Sequence, residues 1–362
     1  MKKLLPYFAI TLAFGLFLIL RHPQVFSYKF DQNLIADYLR SQDIEDPEGK
    51  IKDRITLSDS DLYIASGYMY ATGEDPTGYD FQVPALIKYL FGFSIVLFGN
   101  PFFVQIVFGL LLLFFTFFLG LKLFKNQTVA LIGTGLLLID PVFGRMMDGA
   151  LLDLGQAVFA LSYTILMLFY PERYILQGVV LGLFATSKFW STAVIFVFLT
   201  LTYKILIRKE KINYKKLILS FLVSFVVCCL VYIKSFINLH GNFNFLYYQA
   251  RVLKFMLAHN SAGKLGGPII LFVTGYFAPW WQEGIKRASE WSFLWPAGLL
   301  TSLYLAIRTK MKDIKFFFYF VPFAFLLLIS TQVPFPRYFL IILPFLYLTL
   351  AKGIVLFLRK LV

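Results

Sequence analysis

The sequence predicts an all-α polytopic membrane protein, about ten transmembrane helices in a single membrane-embedded domain spanning residues 1–362, and three observations predict it. Hydrophobic residues make up 59% of the 362 and charged ones only 15%, with 43 Phe and 21 Tyr; the mean hydropathy is +0.73. Apolar runs recur at lengths near the thickness of a bilayer. Between those runs Lys and Arg gather at alternate ends, the pattern that cytoplasmic loops leave. The excess of 34 Lys+Arg over 20 Asp+Glu therefore reads as loop charge, and the expected partner is the lipid bilayer, with no nucleic acid. Cys228 and Cys229 are adjacent and the chain has no others, which argues against a disulfide framework.

Met1-Lys2-Lys3 precedes an apolar run from Leu4 to Leu20, and Arg21-His22-Pro23 stands where signal-peptide cleavage needs small residues, so the run is expected to persist as a first helix. Further spans are expected at 101–121, 127–144, 149–170, 174–187, 189–206, 217–234, 293–307, 316–331 and 338–358. Several fall short of the ~20 residues that a perpendicular helix needs. With the N terminus in the cytoplasm, Lys122/Lys125, Arg173, the basic residues of 208–216 and of 308–315, and Arg359/Lys360 all lie on the cytoplasmic side. The C terminus joins them there. Two long loops, about 21–100 and 235–292, are then external, and the working face is extracytoplasmic.

Twelve of the 20 acids lie between Asp31 and Asp80. Up to Asp53 they suit a solvated loop with a turn-like Asp-Pro-Glu-Gly-Lys segment at 46–50. From Ser58 the pattern becomes helical: Ser58 and Asp59 offer a cap, and Leu62, Ala65, Tyr68 or Met69, and Thr72 follow at helical spacing. A short amphipathic helix at the membrane interface is expected there, with Asp59 and Asp61 near its start. A second, Pro84 to Phe98, is too short to span and is expected to lie on the membrane or re-enter it.

Charges at span ends form a second group: Asp140, Arg145, Asp148, Asp153, Lys188 and Arg337. At membrane depth a charge is costly unless paired or facing a wet cavity, so these are functional candidates by default, with mutual neutralisation such as Arg145 with Asp148, or snorkelling of Lys188, as the structural alternative. The expected topology puts all six at the outer face. Carboxylates and cations in an outer cavity suit attack by a hydroxyl on a lipid-carried phosphate ester. One carboxylate acts as general base, and Arg and Lys hold the phosphate as charge develops on it. Apolar walls accommodate the isoprenoid tail.

The same residues carry a resemblance. Asp59-x-x-x-Tyr63, the Gly73 turn, Pro84-Ala85-Leu86-x-Lys88-Tyr89, Phe98-Gly99-Asn100-Pro101, Asp140-Pro141, Arg145 with Ala150-Leu151-Leu152-Asp153, Gly182-x-x-x-Thr186-Ser187-Lys188-Phe189-Trp190 and Pro336-Arg337-Tyr338 through Pro344 follow one another in an order that resembles the GT-C glycosyltransferases. The nearest likeness is to the protein O-mannosyltransferase branch and its bacterial relatives, including the lipid A aminoarabinose transferases. The resemblance implies transfer of a sugar, a hexose such as mannose, with inversion, from a polyprenyl or dolichyl phosphate to a hydroxyl on protein, lipid or glycan. It makes Asp59 the catalytic base, with Asp61 as the competing candidate. Arg145, Lys188 and Arg337 become donor-phosphate contacts, with Lys88, Asp80 and Asp153 as further substrate-binding candidates. The chain departs from the pattern at Val83-Pro84-Ala85-Leu86, where relatives carry His-Pro-Pro-Leu or Lys-Pro-Pro.

Asp59-x-Asp61 also resembles the metal-binding pair of soluble sugar-nucleotide transferases, but the resembled branch works without metal, so no cofactor is expected. His22, His240 and His259 are too scattered for a metal site. Gly178-x-x-x-Gly182 has a helix-packing spacing. Asn126-Gln127-Thr128 fits a glycosylation sequon but falls on the cytoplasmic side. Trp280-Trp281, Trp291 and Trp295 suit an interfacial aromatic belt. There is no Walker-type loop and no 20–50-residue repeat, which argues against ATP-driven transport. A secondary transporter or flippase, or a non-catalytic subunit of a glycosylation complex, is the rival reading.

Overall fold

The computed structural model describes residues 4–41, 56–238, 244–259, 265–279 and 283–361. The turn expected at 46–50, His240 and the Trp280-Trp281 pair lie outside them. Helix α1 (Leu5–Arg21) buries Pro6, Ile10, Phe14 and Leu18, one turn apart, and leaves Leu5, Phe8, Leu12 and Leu20 exposed. It is packed on one side and lipid-facing on the other. Two short helices, α2 (Gln24–Ser27) and α3 (Asn33–Ser41), lead toward α4 (Asp59–Thr72).

Ser58 caps α4 as expected: its backbone is extended and its hydroxyl accepts from the Asp61 N–H. The one-sided interfacial helix expected from the apolar spacing is not what forms. Tyr63 through Gly67 are buried in succession, followed by Met69 and Tyr70, because α3 covers one side and α5 (Leu86–Phe98) crosses another. Glycines allow that crossing. A Cβ on Gly92 would sit 1.9 Å from the Gly67 carbonyl oxygen, and one on Gly67 2.3 Å from that of Lys88.

The chain continues through α6 (Phe102–Phe124), α7 (Gln127–Leu138), α8 (Pro141–Asp148), α9 (Asp153–Phe169), α10 (Tyr174–Ser187), α11 (Trp190–Thr202), a π turn (Tyr203–Ile207) and α12 (Tyr214–Val231). Among the described residues three helices are long and apolar enough to cross a membrane: α6, α11 with its π turn, and α12. A fourth crossing forms if α7 and α8 are one broken span; they are bent by 52° because Asp140 leaves the helical conformation and Pro141 restarts it. The span expected at 127–144 is therefore two helices. Five shorter apolar helices of 10–17 residues, α1, α5, α9, α10 and α17 (Ile314–Leu328), complete the apolar set. The chain is an integral membrane protein. Gly178 and Gly182 do pack helices: Cβ atoms there would lie 2.4 Å and 2.7 Å from carbonyl oxygens of Ser220 and Ser224 on α12.

The later part runs through α13 (Ile233–Asn238), α14 (Phe245–His259), α15 (Gly267–Thr274), the hairpin β1 (Tyr276–Phe277) and β2 (Lys286–Arg287), α16 (Leu294–Arg308), α17, a 3-10 turn (Pro336–Ile341) and α18 (Leu343–Leu361). Trp295, expected in an interfacial belt, is instead fully buried, because its indole N–H donates to Asp140 Oδ2 at 2.8 Å. The hub is α9, buried along most of its length and packed against α6, α10, α11 and the 3-10 turn. Asp153 opens α9, Lys188 closes α10 and Arg337 sits in the 3-10 turn. The fold thus gathers element ends, where side chains escape helix packing, at one place.

Candidate active site

Asp59, Arg337, Asp153 and Lys188 form an unbroken chain of alternating charge. The Arg337 guanidinium donates from Nη2 to Asp59 Oδ2 at 2.5 Å, its Nε lies 3.8 Å from Asp153 Oδ2, and Lys188 Nζ donates to Asp153 Oδ1 at 2.5 Å. Exposure falls along the chain: Asp59 is 43% exposed, Arg337 19%, Asp153 4% and Lys188 2%. Lys188 has no other acceptor among the described residues. Its ammonium faces the rings of Tyr338 at 4.5 Å and Phe189 at 5.1 Å. Asp153 Oδ2 and Arg337 Nε are buried and make no hydrogen bond. A native interior rarely leaves two such atoms side by side unless a further group belongs between them.

Local structure holds this chain in place. The Ser60 hydroxyl accepts from the Ala150 N–H at 2.9 Å, tying the first turn of α4 to the stretch before α9. Gln105 of α6 donates to the carbonyls of Gly149 and Leu151, 2.8 Å each, pinning that stretch from the other side. Neither residue was marked by the sequence. Gln105 is a lone amide in an apolar run, and that was the only signal it gave.

Two cavities meet this group. The larger, about 630 Å³, is lined by Asp59, Asp61, Arg145 and Arg337 and closed by the hairpin residues Lys286 and Arg287. Arg145 is exposed and has no ion pair among the described residues. Asp61 accepts from the Ser58 hydroxyl at 2.7 Å. The smaller cavity, about 210 Å³, is lined by Lys188, Gln156 and Tyr338 among apolar Ile195, Phe325 and Leu328. The charge chain therefore runs from an open polar chamber to a greasy one.

The remaining expected residues lie elsewhere. Lys88 and Asp80 line neither cavity. Lys88 is fully buried and donates to Asp80 Oδ2 (3.1 Å), the Asp80 carbonyl (2.7 Å), the Val83 carbonyl (2.8 Å) and the Tyr70 hydroxyl (3.1 Å). As a substrate contact Lys88 has nothing left to offer in this structure, since all three ammonium protons are taken, and Asp80 is buried with Lys88 and Ser66 both donating to its Oδ2. Asp140 caps α8 and accepts from Trp295 and Tyr347. Asp148 pairs with His22 at 2.6 Å and Gln24 at 2.7 Å, not with Arg145 as the neutralisation reading supposed. Among the described residues no three His, Cys, Asp or Glu side chains gather as a metal site.

No protein-family model matches the sequence and no curated protein is significantly similar to it. Solved structures do match. ArnT from Cupriavidus metallidurans bound to undecaprenyl phosphate superposes with a TM-score of 0.62 at 13% identity, over 98% of this chain and 60% of that one. The apo state of the same protein gives 0.58 at 16% identity, over 89% and 58%. This chain spans about 60% of the length of its structural neighbour. At such identity the likeness establishes the fold, which is GT-C-like as the ordered motifs implied.

Proposed function

We propose that this protein is a membrane-embedded inverting glycosyltransferase that takes a sugar, a hexose such as mannose in the manner of the O-mannosyltransferase branch, from a polyprenyl-phosphate carrier. The acceptor is a hydroxyl on protein, lipid or glycan, and transfer occurs at the extracytoplasmic face. The observation that carries this reading is the Asp59–Arg337–Asp153–Lys188 chain joining a polar chamber to an apolar one. The structural neighbour's bound undecaprenyl phosphate supports the choice of carrier.

In this reading the acceptor enters the larger chamber, and its hydroxyl gives its proton to Asp59 while its oxygen bonds to the sugar's anomeric carbon. The bond from that carbon to the phosphate oxygen breaks, and the carrier phosphate leaves with the electron pair. Arg337 and Lys188 stabilise the charge gained by the leaving phosphate, and a desolvated site strengthens that effect. Arg337 must let go of Asp59 as it turns to the phosphate, which frees the carboxylate to act as base. Asp61, on the same wall, is the alternative base.

The test supplies membranes carrying the protein with labelled polyprenyl-phosphate sugars and compares wild type with Asp59→Asn and Asp61→Asn. Loss of a general base costs ~10²–10⁴-fold, so Asp59→Asn is expected to lose transfer on that scale and Asp61→Asn far less. Transfer that survives both substitutions removes the proposed base. Labelled carrier crossing sealed vesicles with no new glycosidic bond replaces the transferase with a transporter.

A further inference from the structure

Asp153 fills the position between two cations that a phosphate would fill. Its Oδ1 holds Lys188 at 2.5 Å, its Oδ2 faces Arg337 Nε at 3.8 Å, and both Oδ2 and Nε are buried without a hydrogen bond. Its side chain is 4% exposed, so it cannot rotate out to water. A carboxylate fixed there neutralises the two cations and repels any anion that comes to replace it.

The chemistry of the proposed reaction gives this arrangement a purpose. The donor is a phosphodiester with one negative charge; the product carrier is a phosphate monoester with ~−1.5 to −2 at neutral pH. Two bare cations would hold the product more tightly than the donor, and the enzyme would stall on its own leaving group. Release of product limits many enzymes.

We propose that Asp153 is a release residue: an internal carboxylate that competes with the carrier phosphate for Lys188 and Arg337 and so expels the monoester product. This rests on the glycosyltransferase reading above. As donor binds, Lys188 turns from Asp153 to the phosphate; after transfer, the more highly charged product faces the same carboxylate, and recapture of Lys188 by Asp153 displaces it. Asp153 therefore weakens carrier binding and hastens turnover together. A residue that merely supported the fold would, when removed, weaken both.

The experiment measures equilibrium binding of a C55 polyprenyl phosphate to the purified full-length protein, as wild type, Asp153→Asn, Asp153→Glu and Lys188→Gln, with melting recorded for each. If Asp153 holds Lys188 for ~90% of the time when no carrier is bound, removing that competition tightens apparent binding ~10-fold. Asp153→Asn is expected to bind about that much more tightly, and added polyprenyl phosphate to inhibit its transfer at correspondingly lower concentration. Asp153→Glu, which restores the charge, is expected to return toward wild type, and Lys188→Gln to bind more weakly. Folded Asp153→Asn that binds no better than wild type overturns the inference. A comparison on the unaltered protein covers the case in which the Asn variant does not fold: polyprenyl phosphate and its methyl diester are expected to bind within ~3-fold of each other because Asp153 penalises the extra charge, and a monoester preference of ~100-fold overturns the inference. Folded wild type that binds neither lipid sinks the glycosyltransferase reading itself.

Discussion

Two buried lysine–aspartate pairs stand in this molecule and do opposite things. Lys88 with Asp80 ties the loop after α4 to α5, and Lys188 with Asp153 joins α10 to α9. Both ammonium groups are within 2% of full burial. They differ in how many acceptors surround them. Lys88 has four, two of them backbone carbonyls of the loop it closes, so its protons are committed to the fold. Lys188 has one acceptor and two aromatic faces, and it borders a cavity. A buried charge with a full set of partners is structure. One with a partial set, beside an orphaned carboxylate oxygen, has room for a ligand.

The largest effect that would break this contrast belongs to Lys88. Burial raises the Asp80 carboxyl above its ordinary range, and the Lys88 ammonium opposes that rise. Lys88→Ala strands Asp80 and two carbonyls in the interior, and breaking a buried pair by removing one partner costs ~3–5 kcal/mol. The variant is expected to melt far below wild type in detergent, or to fail to accumulate in membranes. Melting like wild type would erase the distinction between the two pairs.

Next comes Lys188→Gln, where the ranking of losses is expected to reverse. Transfer falls ~10²–10³-fold, the scale for removing one donor to a developing anion, while the melting temperature shifts less than for Lys88→Ala because Asp153 retains an amide to bond and the Arg337 guanidinium, its Nε 3.8 Å from Oδ2, to balance its charge. Parallel thermal melts and transfer assays on the two lysine variants sharpen the comparison: one should be read in stability, the other in rate.

The sequence set Lys188 among the donor-phosphate contacts and Lys88 below it as a further candidate, but nothing in it showed the four acceptors that commit Lys88 to the fold. What the sequence does encode is local. The Ser58 cap, the helix from Asp59, the second short helix ending at Phe98 and the Gly178/Gly182 packing face all depend on neighbours a few residues away, and each is found. The two-helix break at Asp140-Pro141 was written in that dipeptide but hidden by the apolar residues on both sides of it. Partner identity is a long-range property. Asp140 meets Trp295 and Tyr347, 155 and 207 residues away, and that is why a residue counted with the functional charges turns out to be a buried cap. Arg337 meets Asp59 across 278 residues; here the ordered motifs pointed to the right ends, although no spacing rule could have joined them.

The smallest effect tests whether the second pair depends on its support as the first depends on its own acceptors. Lys88 is held by carbonyls of its own loop, whereas Asp153 is aimed from outside, by Gln105 gripping Gly149 and Leu151. Gln105→Leu keeps the volume, leaves the Leu151 carbonyl buried without a donor and reduces the Gly149 carbonyl to its bond from the Leu151 N–H, at a cost of ~1–3 kcal/mol. If those two hydrogen bonds place Asp153, the loss should appear in function beyond the modest drop in melting: the stretch before α9 relaxes, Asp153 leaves Lys188, and polyprenyl phosphate binds more tightly, as with Asp153→Asn. If Gln105 serves only the packing of α6, the variant melts lower and binds the carrier as wild type does. Paired melting and binding measurements separate the two, because a purely structural defect cannot raise affinity for an anion.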